Sequence, residues 1–123
     1  MAKSTVAYRL FRIKDDSPEV LFHSFKHKKK KTKKVPLNKW MRAEEKEAWN
    51  PGKKQKGKSF TSGWHVVLSE EEIQKYLTRF KNTKDIRICK IYVRDVRDKP
   101  RSQVKLARWM FVKDNDWKKA KEE

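Results

Sequence analysis

The stretch LSEEEIQKYLTRFKN (residues 68–82), followed by DIRICKIYVRDV (85–96), decides the fold class. Ser69 and Glu72 have the spacing of a capping box, in which the serine hydroxyl accepts from an unpaired N–H of the first helical turn. Leu68 and Ile73 stand at the two positions of a hydrophobic staple. Ile73, Tyr76, Leu77 and Phe80 then fall at i, i+3, i+4 and i+7, which is one apolar stripe. Glu70, Glu71 and Glu72 complement the helix dipole at its start, and Lys81 and Asn82 suit its end. The spacing predicts a helix over 69–82. Residues 85–96 then predict a long strand.

The reading extends outward in both directions. Asp98-Lys99-Pro100-Arg101 forces a loop, and VKLARWMFV (104–112) is the last strand. Upstream, WHVVL (64–68) is strand-like. TVAYRLFRI (5–13) is a strand with Tyr8, Leu10 and Arg12 on one face and Arg9, Phe11 and Ile13 on the other. Asp15-Asp16-Ser17-Pro18 supplies a turn, and VLFHSF (20–25) is a second strand. Asn38 is placed to cap a helix through about Trp49, with Trp40, Met41 and Ala48 inward and Arg42, Glu44, Glu45 and Lys46 outward. Asn50-Pro51-Gly52 ends it. The expected order is β-β-α-β-α-β-β, an α+β domain with a mixed or mainly antiparallel sheet. One compact domain spans 1–113, and 114–123 is a charged tail with little but Trp117 to pack.

These motifs, taken in order, resemble a group of small phage and bacterial mobile-element proteins. The residues that carry the resemblance are Tyr8-Arg9-Leu10-Phe11-Arg12, Trp40 with Ala43-Glu44, Gly63-Trp64-His65-Val66, Ile88-Cys89-Lys90-Ile91 and Leu106-Ala107-Arg108-Trp109-Met110. The resemblance implies one α+β domain of mobile-element origin and brings no activity with it.

Composition points to the partner. The chain has 123 residues, 41% of them charged and 36% apolar, and a net charge of +18. That is far above the roughly 2–8 units that suffice for solubility in a small domain. Self-repulsion of this size destabilises a compact state unless an anion offsets it. Cys89 is the single cysteine, so neither an internal disulfide nor a cysteine-based zinc site can form; a buried, inert thiol is expected. No stretch has the length of an apolar membrane span, and the N-terminus lacks a signal-peptide pattern, so a cytoplasmic protein is expected.

The charge is concentrated in two lysine runs, expected to be extended mobile loops. KHKKKKTKK (26–34) holds Lys26, Lys28, Lys29, Lys30, Lys31, Lys33 and Lys34; KKQKGK (53–58) holds Lys53, Lys54, Lys56 and Lys58. Without these eleven lysines the +18 falls to +7, so the body is basic too, notably at Arg94, Arg97, Lys99, Arg101, Lys105 and Arg108. Ammonium groups suit phosphate positioning better than base reading. Trp40, Trp49, Trp64 and Trp109 are candidates to stack on unpaired bases; Trp64 and Trp109 are expected in the core instead, and Trp49, beside the second run, suits either role. His65 is a candidate contact and, in one alternative, a catalytic acid or base. His23, His27 and His65 lack carboxylates at ligand spacing, and three glycines form no phosphate loop. No metal, cofactor, membrane or small-molecule substrate is expected.

The sequence thus predicts a non-enzymatic protein that contacts a nucleic-acid backbone. RNA or an RNA–protein complex is favoured over duplex DNA, because no helix reads as a major-groove recognition helix. One alternative is a phage-encoded inhibitor or accessory subunit bound to a host nucleoprotein effector such as a CRISPR complex. The other is a small enzyme using His65.

Overall fold

The structure is a computed structural model and describes residues 4–21, 25–27, 30–43, 47–49, 59–61, 63–99 and 103–122. The strands are β1 (Thr5–Lys14), β2 (Ser17–Glu19), β3 (Phe25–His27), β4 (Lys30–Thr32), β5 (Trp40–Arg42), β6 (Glu47–Trp49), β7 (Ser59–Thr61) and β8 (Trp64–Val66). Helix α1 (Glu70–Leu77), β9 (Ile86–Asp98), β10 (Lys105–Phe111) and α2 (Asp114–Lys121) follow. The class is α+β, with an antiparallel curled sheet and two helices.

Strand β9 organises the sheet, whose order is β2-β1-β9-β10-β5, with β8 also on β10. The first half of β9 pairs with β1, from Arg12↔Ile86 to Thr5↔Val93. Its second half pairs with β10, from Phe111↔Tyr92 to Lys105↔Asp98. The two sets of partners overlap at Tyr92 and Val93, and Asp95, within the half paired with β10, lies in the left-handed region (φ 55°). The curl then closes. β8 pairs with β10, and Val67 exchanges two backbone hydrogen bonds with Tyr8 of β1 at 2.8 and 3.1 Å. β1, β9, β10 and β8 therefore form a small ring. Where β8 meets β10, a Cβ on Gly63 would come within 2.8 Å of the Ala107 carbonyl oxygen, so only glycine permits this approach.

The ring encloses the main core of Ala7, Phe11, Met41, Trp64, Val66, Cys89, Ile91, Val93, Met110 and Val112, closed by Trp117 and Ala120 of α2. A second cluster lies on the other face of β1, where Leu10, Val67, Ile73 and Ile86 are buried under α1 with Tyr8, Tyr76, Leu77, Phe80 and Ile88. The two faces of β1 are therefore the two expected from its alternation, each covered by a different helix.

Helix α1 starts as expected: the Ser69 hydroxyl accepts from the Glu72 N–H at 3.4 Å. It stops at Thr78, whose hydroxyl donates to the Lys75 carbonyl. Leu68 is 46% exposed and stands outside the cluster that holds Ile73, so the staple does not form.

Four expectations are corrected. The helix from Asn38 to Trp49 is absent: 40–42 and 47–49 are strands. Trp40-Met41-Arg42 alternates with a period of two, and Met41 turns into the core while Trp40 and Arg42 turn out. Asn38 does cap a helix, but a distant one. Its side-chain oxygen accepts from the Asp114 N–H at 3.0 Å, across the chain at the start of α2. Second, residues 114–121 are not a loose tail. Asp114 and Asp116 open a helix, Lys118, Lys119 and Lys121 close it, and Trp117 and Ala120 are buried. These charges complement the helix dipole. Third, the first hairpin is tighter than expected. Asp15 and Asp16 both take positive φ (52° and 63°), the two-residue turn that matches strand twist, so β2 begins at Ser17 and Val20 lies beyond it. Fourth, the first lysine run is not wholly a loop. β3 pairs with β4, setting Lys26 opposite Lys31 and His27 opposite Lys30.

Candidate nucleic-acid interface

The three strands at one side of the sheet carry an outward-facing lattice of rings and cations. Where β5, β10 and β9 run side by side, their buried residues are Met41, Met110 and Val93. Alternation sends the flanking residues to the opposite face. The register aligns Arg42, Trp109 and Arg94 in one row across the strands and Trp40, Phe111 and Tyr92 in the next. Arg42 is exposed, and the other five are partly buried.

The contacts within the lattice pair each ring with another ring or a cation. The Trp40 and Phe111 centroids are 5.3 Å apart with a 48° tilt. The Arg94 guanidinium lies 4.0 Å from the Trp40 centroid, reaching diagonally across β10. Arg42 lies 5.9 Å from the Trp109 ring, and the Lys90 ammonium 5.8 Å from the Tyr92 ring. Cross-strand aromatic pairs stabilise a sheet by about 0.2–1 kcal/mol each, which accounts for Trp40 beside Phe111. A cation set on three of the four rings adds a second property. The face offers π surfaces and guanidinium planes for unpaired bases, with positive charge for the phosphates between them.

Arg94 is the expected contact that belongs to this face. The others lie elsewhere. Arg97 sits next along β9, opposite Leu106, with Nε and Nη2 shielded from solvent and without a hydrogen-bond partner. Lys105 forms an ion pair with Asp98. Arg108, partly buried on β10, accepts the Ala43 N–H on its carbonyl at 2.8 Å. Lys99 and His65 line a cavity beneath α1. Burial lowers the Lys99 pKa below the ordinary lysine value. Lys31, Lys33 and Lys34 are exposed, and Lys34 is 3.3 Å from Asp15. They lie beside β2, at the far end of the strand order from β5. Lys26, Lys30 and Trp49 are described in backbone only, in β3, β4 and β6. Lys28, Lys29, Lys53, Lys54, Lys56, Lys58 and Arg101 lie outside the described residues.

The tryptophans divide differently from expectation. Trp64 is core, 4% exposed, with its indole N–H donating to the Met41 carbonyl at 2.9 Å. Trp109 is not core; it stands on the outer lattice. The signal for the lattice is the i, i+2 spacing of Trp40/Arg42, Tyr92/Arg94 and Trp109/Phe111. It becomes legible once 40–42 is a strand instead of a helix.

Among the described residues no group of three His, Cys, Asp or Glu side chains could hold a metal ion. No helix among them is long and apolar enough to cross a membrane. Cys89 is buried, and desolvation, followed by the negative charge of Asp116, pushes its pKa up to about 12. Comparison with protein-family models, with curated proteins and with solved structures finds no match in any of the three.

Proposed function

We propose that this protein binds single-stranded nucleic acid without catalysis, RNA in preference to duplex DNA. In this reading bases stack on the β5–β10–β9 face, and lysines and arginines follow the phosphates. The observation that carries the reading is the Arg94–Trp40–Phe111 stack, set beside Arg42–Trp109, in a chain of net charge +18. Aromatic rings on a sheet with cations between them suit unpaired bases, because every base has a π face and every linkage a negative charge. Neither helix is built for a major groove. α1 opens with three glutamates and turns its apolar side to the sheet, and α2 is anchored by Trp117. The lysines of 26–34 and 53–58 supply long-range attraction and counterion release. The mobile-element resemblance suits an accessory subunit of a ribonucleoprotein as the setting.

Salt titration tests the phosphate part. Affinity for a labelled single-stranded oligonucleotide is expected to fall with salt on a log–log slope of about 0.7 per phosphate contacted. A total slope of several units is the expected result. Weak binding that ignores salt would remove the proposal.

A further inference from the structure

We infer that the cavity beneath α1 is a pocket for one nucleotide unit, its base against the apolar floor and its phosphate on Arg9; the choice of nucleotide rests on the nucleic-acid reading above. The cavity measures about 310 Å³, at the lower end of the roughly 300–1,000 Å³ typical of small-ligand sites. Leu10, Val67, Ile73, Tyr76 and Phe80 give it an apolar and aromatic lining. Arg9, His65 and Lys99 share its wall, and among the described residues no aspartate or glutamate lines it.

Arg9 is the decisive residue. It leaves β1 on the core face, with its guanidinium 5.7 Å from the Phe11 centroid and 5.5 Å from that of Trp64; Arg9 and the core residue Val66 line the cavity together with Leu10 and Val67 of the opposite face, so the cavity reaches both sides of the strand. Nη1 donates to the His65 carbonyl at 2.6 Å. Nε is shielded from solvent and has no hydrogen-bond partner. Burial alone lowers its pKa to about 10, so no carboxylate offsets the desolvation, and the group remains a cation at neutral pH. A sequestered charge is costly unless paired. One carbonyl and two rings offset only part of that cost. An anion entering the cavity supplies the missing counter-charge, and the apolar floor beside it suits the flat ring of a base. A mononucleotide combines the two within the available volume.

The test is calorimetric titration of the full chain with adenosine 5′-monophosphate, run beside titration with a single-stranded octanucleotide. One-to-one binding of the mononucleotide is expected, weakened about 10- to 100-fold in Arg9→Met, the loss that follows removal of a charge-assisted hydrogen bond. Val104→Phe, which narrows the cavity from its edge, is expected to weaken it as well, and serves if Arg9→Met does not fold. The salt slope of octanucleotide binding should fall by about 0.7, one phosphate contact, in both variants. Absence of mononucleotide binding to the wild type, or equal binding by the folded variants, overturns the pocket. Mononucleotide binding that depends on Arg9, in a protein with no salt-dependent octanucleotide binding, would uphold the pocket as a site for the free nucleotide and overturn the outer face alone.

Discussion

Replacing Trp40 and Trp109 together by leucine is expected to cost about 2–6 kcal/mol of single-strand affinity, at about 1–3 kcal/mol for each lost base stack. That is about 30-fold at the least. Leucine keeps apolar bulk on the strands but presents no π face, so the sheet should still form. The salt slope separates the two components of binding. It counts phosphates, and neither substitution touches a phosphate contact, so the slope should stay at the wild-type value while the whole line drops. Unchanged affinity in the folded double variant would mean that the rings only support the sheet. Fluorescence anisotropy with a labelled oligonucleotide at several salt concentrations measures both quantities.

Trp117→Ala is expected to have the largest effect on stability, about 3–5 kcal/mol. Trp117 is 1% exposed and is among the largest fully buried side chains. Its ring meets Phe11 edge-on, with centroids 6.0 Å apart at 83°. Its indole N–H donates to the Asp16 carbonyl in the turn between β1 and β2 at 2.8 Å. Truncation therefore opens a cavity, removes an aromatic pair and leaves a carbonyl without its donor. A drop in thermal midpoint of about 10–20 °C is expected for a domain of this size. A drop of only a degree or two would mean that α2 is not part of the cooperative unit.

Local signals and distant ones were unequally legible. The start of α1 needed only Ser69 and Glu72, because a cap is a matter of a few neighbouring atoms. The two faces of β1 and the strands near 85–96 and 104–112 followed from alternation for the same reason. Residues 38–49 did not, because Trp40, Met41 and Ala48 are too sparse to distinguish a helical period from a strand's. What decides the matter is pairing with β10, and β10 lies more than sixty residues away. Asn38 shows the ambiguity at one residue. It has the chemistry of a helix cap and serves as one, for a helix that begins at Asp114. Charge dominates residues 114–121 and predicts a loose tail, yet Trp117 and Ala120, three apart, suffice to dock one helical face.

The candidate site follows the same division. A charge surplus is legible in composition and predicts a polyanionic partner, with Arg94 among the expected contacts. The ring lattice was not legible, because it depends on the register of three strands. Trp40, Tyr92, Trp109 and Phe111 lie far apart in the chain and become one surface only when β5, β10 and β9 align. Arg9 shares a face with Phe11 and Ile13 in the alternating strand, and nothing local marks it as a site. Closure of the ring between Tyr8 and Val67 is what places it in a cavity wall.

The most direct measurement is photocrosslinking of a uridine-rich single strand to the purified protein, with the modified residues located by mass spectrometry. Adducts at Trp40, Tyr92, Trp109 or Phe111 are the predicted result. Adducts confined to positions off the β5–β10–β9 face, at a salt concentration where the strand is bound, would contradict the account.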